Sequence, residues 1–323
     1  MRPVVFHALR SASLALDLFG ALTLLALVTS PFVGPWAWPL SFPLHFAELG
    51  WLGATAGLVV AGFRRSRARA VLHVSWACAW LVLFVPQLQR GFAPEPERVE
   101  GELRVVTLNA GAGRATGEQL RDALRTFDAD VVFLQELSAR QAAAIESATD
   151  LPFAHRVLFP LGIPGKGLFA RFPLRDVSFE QLGDGATVLD AVLLAPRGAI
   201  RLVDVHSRMQ LAVLGPWCEG REHIDAWAND LPDALPILLA GDLNVGTRCP
   251  LVVSLREAEF TEAFEQVGAG LGLSFPVFLR YRALPLPPLV RIDHVWTRGL
   301  EPLDARLLPD VGSDHLPLLV RFR

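Results

Sequence analysis

The sequence predicts an α/β fold, with mixed β-sheets and helices outside them, preceded by three transmembrane helices. Of 63 charged residues only nine lie within positions 1–90, so the first part of the chain is far more apolar than the remainder. After residue 102, short apolar runs bounded by Gly, Pro and Asp alternate with amphipathic stretches, as is typical of buried strands and surface helices. We therefore divide the chain into a membrane domain (1–90), a Pro/Glu-rich linker (91–101) and a second domain (102–323).

Three apolar stretches precede residue 90, and each is close to the roughly 20 residues that a helix needs to cross a bilayer. They extend over Leu14 to Val33, Leu44 to Phe63 and Val71 to Leu88. The first is longer than the apolar core of a secretion signal and does not end in a small-x-small cleavage site. We therefore expect it to be retained as a membrane helix.

The charges between these stretches predict their orientation. The loop between the second and third contains four arginines, whereas the loop between the first and second has no charge and two tryptophans. Because positively charged loops stay in the cytoplasm, the N-terminus is expected there and everything after Arg90 outside a multiply crossed cell membrane. We interpret Asp17 and Glu48, which lie in or beside the spans, as interfacial or paired groups. A functional role stays open for Glu48, because it lies on the side of the second domain.

The second domain is predicted to contain seven strands and three helices. The strands cover 103–108, 131–134, 188–194, 200–205, 237–240, 291–296 and 316–322, and the helices cover 118–127, 139–147 and 221–231. Mixed sheets with helices packed outside them are the expected architecture for this pattern.

Polar residues collect where the predicted strands end. Taken singly, each has an ordinary explanation as a turn residue, a helix cap or a surface charge. In α/β sheets the strand ends are where binding sites form, so the whole set indicates one site. Its members are Asn109, Glu136, His206, Asp242, Asn244, Asp293, Asp314 and His315.

Seven segments in a fixed order resemble the endonuclease/exonuclease/phosphatase superfamily, which has the fold of DNase I. They are VTLN at 106–109, FLQE at 133–136, GKGLFARFP at 165–173, VDVHS at 203–207, GDLN at 241–244, IDH at 292–294 and GSDHLP at 312–317. The resemblance spans about residues 102–323. It implies a four-layer α/β/β/α sandwich that hydrolyses phosphate esters or anhydrides with Mg²⁺ or Mn²⁺.

The resemblance also implies a metal site formed by Asn109, Glu136 and Asp314. These side chains supply the hard oxygen ligands that Mg²⁺ prefers. The chain departs from the family pattern at Ala170, where Ser is usual, and at Ser207, where the family often has Leu after the histidine. Neither departure removes a group that the chemistry needs, so we expect an active enzyme.

The remaining site residues take implied roles in proton transfer and phosphate binding. Asp242 is the expected base for the attacking water, and Asn244 holds that water or a phosphate oxygen. His315 contacts the scissile phosphate, with Asp293 orienting its ring and favouring its charged form. His206 is the general acid or a further phosphate ligand.

Charge and location narrow the substrate class. Residues 1–90 carry seven basic and two acidic groups, whereas the remainder carries 23 basic and 31 acidic groups. An acidic domain is a poor general binder of nucleic acid, because such binding depends on neutralising phosphates with Lys and Arg. The apolar, proline-rich stretch 275–289 is predicted either to meet lipid chains or to fold onto the core. Three arginines could bind phosphate headgroups beside it: Arg280, Arg282 and Arg291.

The combination of N-terminal spans and an external domain resembles a bacterial membrane group associated with glycopeptide resistance. That resemblance implies hydrolysis of a lipid phosphate such as undecaprenyl pyrophosphate, which is the leading expectation. Two alternatives stay open: a phosphodiesterase acting on sphingomyelin-like lipids or extracellular nucleic acid, and a non-catalytic envelope protein that binds lipid phosphates or a partner. Cys218 and Cys249 could form a disulfide in an oxidising compartment, and the oligomeric state is not predicted.

Overall fold

A computed structural model describes residues 3–29, 47–94, 96–183, 185–207, 226, 234–246, 250–277 and 287–323. The α-helices with bounds in this part are α1 Pro3–Thr29, α2 Gly50–Phe63, α3 Arg67–Phe92, α4 Gly117–Thr126, α5 Ala139–Glu146, α6 Pro250–Glu257 and α7 Ala263–Val267. The strands are β1 Leu103–Asn109, β2 Val131–Gln135, β3 His155–Phe159, β4 Lys166–Ala170, β5 Leu174–Gln181, β6 Thr187–Ala195, β7 Gly198–His206, β8 Ile237–Asp242, β9 Thr261–Glu262, β10 Asp293–Arg298, β11 Pro302–Leu307 and β12 Leu318–Phe322.

The strands form two six-stranded sheets. One has the order β11-β12-β1-β2-β4-β3, and the other has the order β5-β6-β7-β8-β10-β9. The pairs β1/β2 and β7/β8 are parallel, so their carboxyl ends lie side by side within each sheet. Strand β10 runs antiparallel to β8 and places Asp293 directly opposite Asp242. The register therefore brings the predicted site residues to one edge of each sheet.

Apolar side chains on both faces of the strands build a four-layer sandwich. On β1 and β2, Val105 and Phe133 belong to the core between the sheets. Their neighbours Val106 and Leu134 point the other way, into a second core with residues of α4 and α5. A third core packs α6, through residues such as Leu255, against the outer face of the other sheet. This alternation has the period of two that a strand buried on both faces requires.

The predicted elements agree with the observed ones in most places. Both boundaries of each predicted strand lie within two residues of those of an observed strand. The same holds for the predicted helices 118–127 and 139–147. The predicted helix 221–231 falls almost wholly outside the described residues. The sequence pattern does not predict β3, β4, β5, β9, β11, α6 or α7, although β4 falls within one of the family-like segments.

The N-terminal helices differ from the expected three membrane spans. Within the described residues, two helices are long and apolar enough to cross a bilayer, Arg10–Thr29 and Arg67–Phe92. The helical apolar stretch Ala47–Phe63 is shorter than that, and the residues just before it are not described. Three transmembrane helices are therefore not confirmed. In addition, α3 continues to Phe92, past the predicted start of the linker.

Small residues let the three N-terminal helices pack closely. A Cβ atom on Gly57 would lie 2.2 Å from the ring of His73, and one on Gly53 would lie 2.3 Å from the ring of Trp76. Asp17 forms an ion pair with Arg69 (2.8 Å) and contacts His73 Nε2 at 3.1 Å. Asp17 is thus paired within this bundle, as interpreted from the sequence.

Candidate active site

The carboxyl ends of four strands and the start of β10 surround one cavity of about 490 Å³. Asn109 ends β1, Glu136 follows β2, His206 ends β7 and Asp242 ends β8, while Asp293 begins β10. The cavity is lined by Arg114, Glu136, Ile163, Pro164, Gln181, Gly185, Thr187, His206, Ser207, Asp242, Asn244, Phe275, Asp314 and His315. All eight sequence-predicted residues at strand ends are therefore at, or directly behind, this cavity.

Asp242 is held by two N–H donors at the base of the cavity. The Asn109 side chain donates to Oδ2 at 2.9 Å, and the backbone N–H of Asn244 donates to Oδ1 at 2.8 Å. Burial raises the pKa of Asp242, the charge of His315 opposes this and that of Asp293 adds to it, giving a value of about 7. A carboxylate with a pKa near neutrality is suited to act as a general base.

His315 lies between two carboxylates. Its Nδ1 is 2.9 Å from Asp293 Oδ2, which also accepts a hydrogen bond of 2.6 Å from the Ser274 hydroxyl. Its Nε2 is 3.7 Å from Asp242 Oδ2. Burial by itself lowers the pKa of His315, but the charges of Asp293 and Asp242 outweigh burial and raise it to about 10. The ring is therefore a cation at neutral pH and can donate a proton or a hydrogen bond to a phosphate.

Replacing Asp293 by Asn tests this arrangement through the pH dependence of turnover. Because Asp293 is the largest favourable influence on the pKa of His315, its loss lowers that pKa from about 10 toward the ordinary value. We expect the alkaline loss of kcat to begin at lower pH in Asp293→Asn than in the unmodified protein. An alkaline limb at the same pH in both proteins would mean that His315 is not the group that must stay protonated.

Glu136 and Asp314 provide carboxylate oxygens that fit a divalent metal ion. Asn109, the third predicted ligand, donates to Glu136 at 3.2 Å, and its Oδ1 accepts from the Gly111 N–H at 2.9 Å. Asp314 Oδ2 pairs with Arg114 Nε at 2.9 Å, whereas the buried Oδ1 has no hydrogen-bond partner among the described residues. Burial raises the pKa of Glu136, and the nearby charge of Asp314 raises it further against the effects of Asn109 and His315. A bound cation would relieve this repulsion and coordinate the free oxygen.

A second cluster, formed by Asp242, Asp293 and His315, meets the distance requirement for a metal site but is less suited to binding a metal ion. Ligand atoms of Asp242, Asp293 and His315 all lie within 4.8 Å of one another. However, His315 Nδ1 is already hydrogen-bonded to Asp293, and Asp242 is held by two N–H donors. The geometry therefore suits Asp242, Asp293 and His315 to proton transfer, and the set around Glu136 and Asp314 to metal binding.

Two site residues adopt backbone conformations that non-glycine residues rarely use. Glu136 has a φ of 53° and Asn244 has a φ of 51°. Such conformations cost energy and cluster at functional sites, where neighbouring structure holds them in place. Gly241 next to Asp242 has a φ of 142°, and a Cβ there would lie 1.9 Å from the Val205 carbonyl oxygen. The close approach of β7 and β8 at the site thus requires glycine.

His206 is held in its neutral form. Its Nδ1 is 3.1 Å from the Ile163 carbonyl oxygen, which can only accept, so Nδ1 carries the proton. Burial and the charge of Lys166 lower the pKa of His206 to about 3. Its Nε2, 3.6 Å from Glu136 and 3.8 Å from Asp242, is then an acceptor. The predicted general-acid role requires the cationic ring, which this environment disfavours.

Several residues at the site were not predicted from the sequence. Lys166 and Asp204 form an ion pair of 2.8 Å behind the cavity, with both side chains fully buried. The motifs that contain them, GKG and VDVH, were recognised, but only the histidine was assigned a role. Arg114 and Ser274 lie in segments whose sequence carries no comparable signal, because they reach the site through tertiary packing. Phe275 begins the apolar stretch 275–289, of which 275–277 and 287–289 are described, and its ring lies 4.6 Å from the ring of His315.

Of the three arginines predicted to bind phosphate headgroups, Arg291 is the one that the structure describes. Arg280 and Arg282 lie outside the described residues. Arg291 is described, but only 1% of it is exposed, and its guanidinium donates to Glu262 at 3.2 Å and lies over the ring of Phe264. The headgroup role predicted for Arg291 is therefore wrong, because its guanidinium is buried and pairs with the Glu262 carboxylate. The predicted Cys218–Cys249 pair also lies outside the described residues.

Comparison with known proteins gives a consistent family relationship. A model of the endonuclease/exonuclease/phosphatase family matches residues 106–315. The uncharacterized protein YbhP of Escherichia coli is 28% identical over 258 aligned residues, covering 67% of this chain and 94% of that protein. An endonuclease/exonuclease/phosphatase from Beutenbergia cavernae superposes with a TM-score of 0.57 at 19% identity, over 69% of this chain and 72% of that one. The 3′ phosphatase NExo from Neisseria, solved with a product DNA hairpin, gives 0.53 at 18% identity, over 68% and 99%.

Proposed function

Because the chain belongs to the endonuclease/exonuclease/phosphatase family, we propose that it is a metal-dependent phosphohydrolase that cleaves a lipid phosphate, such as undecaprenyl pyrophosphate, at the outer face of a cell membrane. The observation that carries this proposal is a short segment, Gly270–Val277, which contacts the N-terminal helices at one end and the catalytic residues at the other. It keeps the site close to the apolar helices.

The first end of this segment is fixed to α3. The backbone N–H of Gly270 donates to the Gln87 carbonyl oxygen at 2.9 Å. Leu271 packs against an apolar cluster of Ala47, Trp80 and Phe84 on the N-terminal helices. The second domain is thereby attached to the C-terminal part of α3 by direct contacts as well as by the chain.

The second end of the segment is fixed to the catalytic residues. Ser274 donates to Asp293, the ring of Phe275 lies 4.6 Å from the ring of His315, and the Val277 N–H donates to the Asp314 carbonyl oxygen at 2.7 Å. Phe275 follows Leu271 by four positions, and an extended chain of that length spans at most about 14 Å. Catalysis would therefore occur on the order of 20 Å from the helix bundle, within reach of a lipid headgroup.

Features of the N-terminal helices support their placement in a membrane. Large apolar side chains on their outer faces are exposed, including Leu14, Val28 and Val82. Arg64 and Arg65 lie between α2 and α3, and Arg67 and Arg69 lie in the first turn of α3, at the end opposite the contacts with the second domain. Because positive loops remain in the cytoplasm, this arrangement supports the proposal of a catalytic site on the outer side.

The site residues account for hydrolysis of a phosphate ester or anhydride. Asp242 accepts a proton from a water molecule as that water attacks phosphorus, and Asn244 orients the water or a phosphate oxygen. The bond from phosphorus to the leaving oxygen breaks, and the cationic His315 stabilises the charge that develops on the phosphate. A divalent cation held by Asn109, Glu136 and Asp314 would neutralise charge on the phosphate oxygens and the leaving group.

Exposed apolar side chains at the rim of the cavity support the proposal of a substrate with a hydrocarbon chain. Ile163, which lines the cavity, is 64% exposed, and Leu161 beside it is 57% exposed. Burying one such side chain against a lipid contributes about 1.5–3 kcal/mol. We expect Ile163→Asp to lower kcat/KM about tenfold or more on a long-chain lipid pyrophosphate, and less than twofold on a water-soluble pyrophosphate monoester.

The matched control for this prediction is Val177→Asp, at an apolar residue that is 40% exposed on β5 and does not line the cavity. It should leave both activities unchanged. Equal effects of Ile163→Asp on the two substrates, or no effect on either, would argue against hydrocarbon contact at this rim.

A further inference from the structure

We propose that Lys166 is a positioning residue that fixes the catalytic ends of the two sheets relative to each other. Lys166 begins β4 in one sheet, and Asp204 lies on β7 in the other. Their ion pair of 2.8 Å crosses the space between the sheets directly behind the cavity, and neither side chain is exposed.

A hydrogen bond from Gln135, together with the backbone of β2 and β7, connects this ion pair to two of the site residues. In the sheet register Lys166 lies opposite Gln135, the residue before Glu136. The Gln135 side chain donates to the same Asp204 oxygen at 2.8 Å. Asp204 is two residues before His206 on β7. The network therefore joins the strand end that presents Glu136 to the strand end that presents His206.

Fold stability alone is a poor explanation for this pair. Two fully buried charges lose their hydration, and a well-packed apolar pair usually stabilises a core equally well or better. The pair lies where the site needs accurate spacing, since Asp242 and Glu136 both act electrostatically on Lys166. Small displacements of catalytic groups are costly to the rate, so a rigid link at this point has a catalytic use.

The composition of the chain adds a second, independent observation. Lys166 is the only lysine in the sequence, and the other 29 of its 30 basic residues are arginines. A compact ammonium fits a closed space between two sheets, whereas a guanidinium is planar and presents a wide set of donors. A chain that otherwise uses arginine throughout thus carries lysine at a fully buried position behind its site.

The test uses the full-length protein in detergent and a charge-neutral pair, Lys166→Met with Asp204→Asn. Asparagine at 204 still accepts from Gln135, and removing both charges avoids leaving one of them buried without a partner. We expect this double variant to melt near the unmodified protein, while kcat on bis-p-nitrophenyl phosphate falls at least tenfold and KM changes less than twofold. We also expect the rise in melting temperature on adding Mg²⁺ to shrink, because Glu136 is displaced.

The matched control is the buried pair Arg321 and Glu102, each 1% exposed and distant from the cavity. The neutral variant Arg321→Met with Glu102→Gln should leave kcat and the Mg²⁺ response per folded molecule unchanged. If the Lys166/Asp204 double variant keeps both normal kcat and a normal Mg²⁺ response, the proposal is overturned. If the Lys166/Asp204 double variant melts at a lower temperature than the unmodified protein, kcat per folded molecule is compared at 15 °C, and a normal value together with a normal Mg²⁺ response overturns the proposal.

The proposal rests on the catalytic site but not on the lipid substrate, so the two can fail separately. Failure of the lipid assignment leaves turnover of bis-p-nitrophenyl phosphate and the comparison of variants intact. If the unmodified protein turns over no phosphoester, the Mg²⁺-induced change in melting temperature still tests positioning. An equal change in the unmodified protein and the double variant, or no change in either, would then overturn the proposal.

Discussion

Asp242→Asn should lower kcat by about 10²- to 10⁴-fold, the range expected for the loss of a general base. Asparagine has the same shape and can still accept one of the two N–H bonds that hold Asp242. It cannot take a proton from water. The measurement is steady-state phosphate release by the full-length protein at pH 8, where Asp242, with a pKa of about 7, is mostly ionised.

A stability measurement separates lost chemistry from lost folding in this variant. The pKa of Asp242 is raised on folding, so the stabilising effect of its proton is complete below pH 4 and is lost as the pH rises through about 7. In EDTA at pH 8, Asp242→Asn should therefore melt at or above the unmodified protein. Asp150→Asn, on the exposed surface, is the control and should keep full activity. Full activity in Asp242→Asn would remove Asp242 from the role of base.

Removing divalent metal should abolish turnover, and adding Mg²⁺ should restore it. The carboxylates of Glu136 and Asp314 converge on one space, and without a cation their repulsion and burial raise the pKa of Glu136. The negative charge of the substrate adds to this repulsion. We expect activity after dialysis against EDTA to fall at least 10³-fold and to recover with millimolar Mg²⁺, in line with the several kcal/mol that a metal supplies.

Glu136→Gln identifies the residue set that binds the metal. The change keeps the shape and removes one negative charge, so the Mg²⁺ concentration giving half-maximal activity should rise 10- to 100-fold while saturating Mg²⁺ restores part of kcat. Asp293→Asn alters the other cluster, that of Asp242, Asp293 and His315, and should change this Mg²⁺ concentration less than twofold. A larger effect at Asp293 than at Glu136 would move the metal to the Asp242, Asp293 and His315 group.

Local patterning was sufficient to predict most of the fold. Strands β1, β2, β7 and β8 are short apolar runs bounded by turn residues, and this pattern is compatible with few structures other than a buried strand. Strand β5 was missed because most of its side chains are exposed and its sequence, LRDVSFEQ, lacks a continuous apolar run. The second apolar stretch was expected to cross a bilayer, but its described α-helix begins only at Gly50.

The candidate site was predictable where ordered motifs place polar residues at strand ends. Asn109, Asp242 and His315 are adjacent to buried strands, so topology alone brings them together. Arg291 was misassigned because its neighbours in sequence suggest an exposed loop, whereas its partner, Glu262, is 29 residues away. The ion pair between Lys166 and Asp204 depends on how the two sheets face each other. No local sequence pattern encodes the distance between the sheets.

The most direct test of the central claim is Mg²⁺-dependent phosphate release from undecaprenyl pyrophosphate by the detergent-purified full-length protein. Asp242→Asn, plasmid DNA and sphingomyelin are assayed in parallel. The account predicts phosphate release that disappears in the variant, with neither DNA nor sphingomyelin cleaved. If the pyrophosphate is inert while either diester is cut, the family chemistry stands and the lipid pyrophosphate substrate is contradicted.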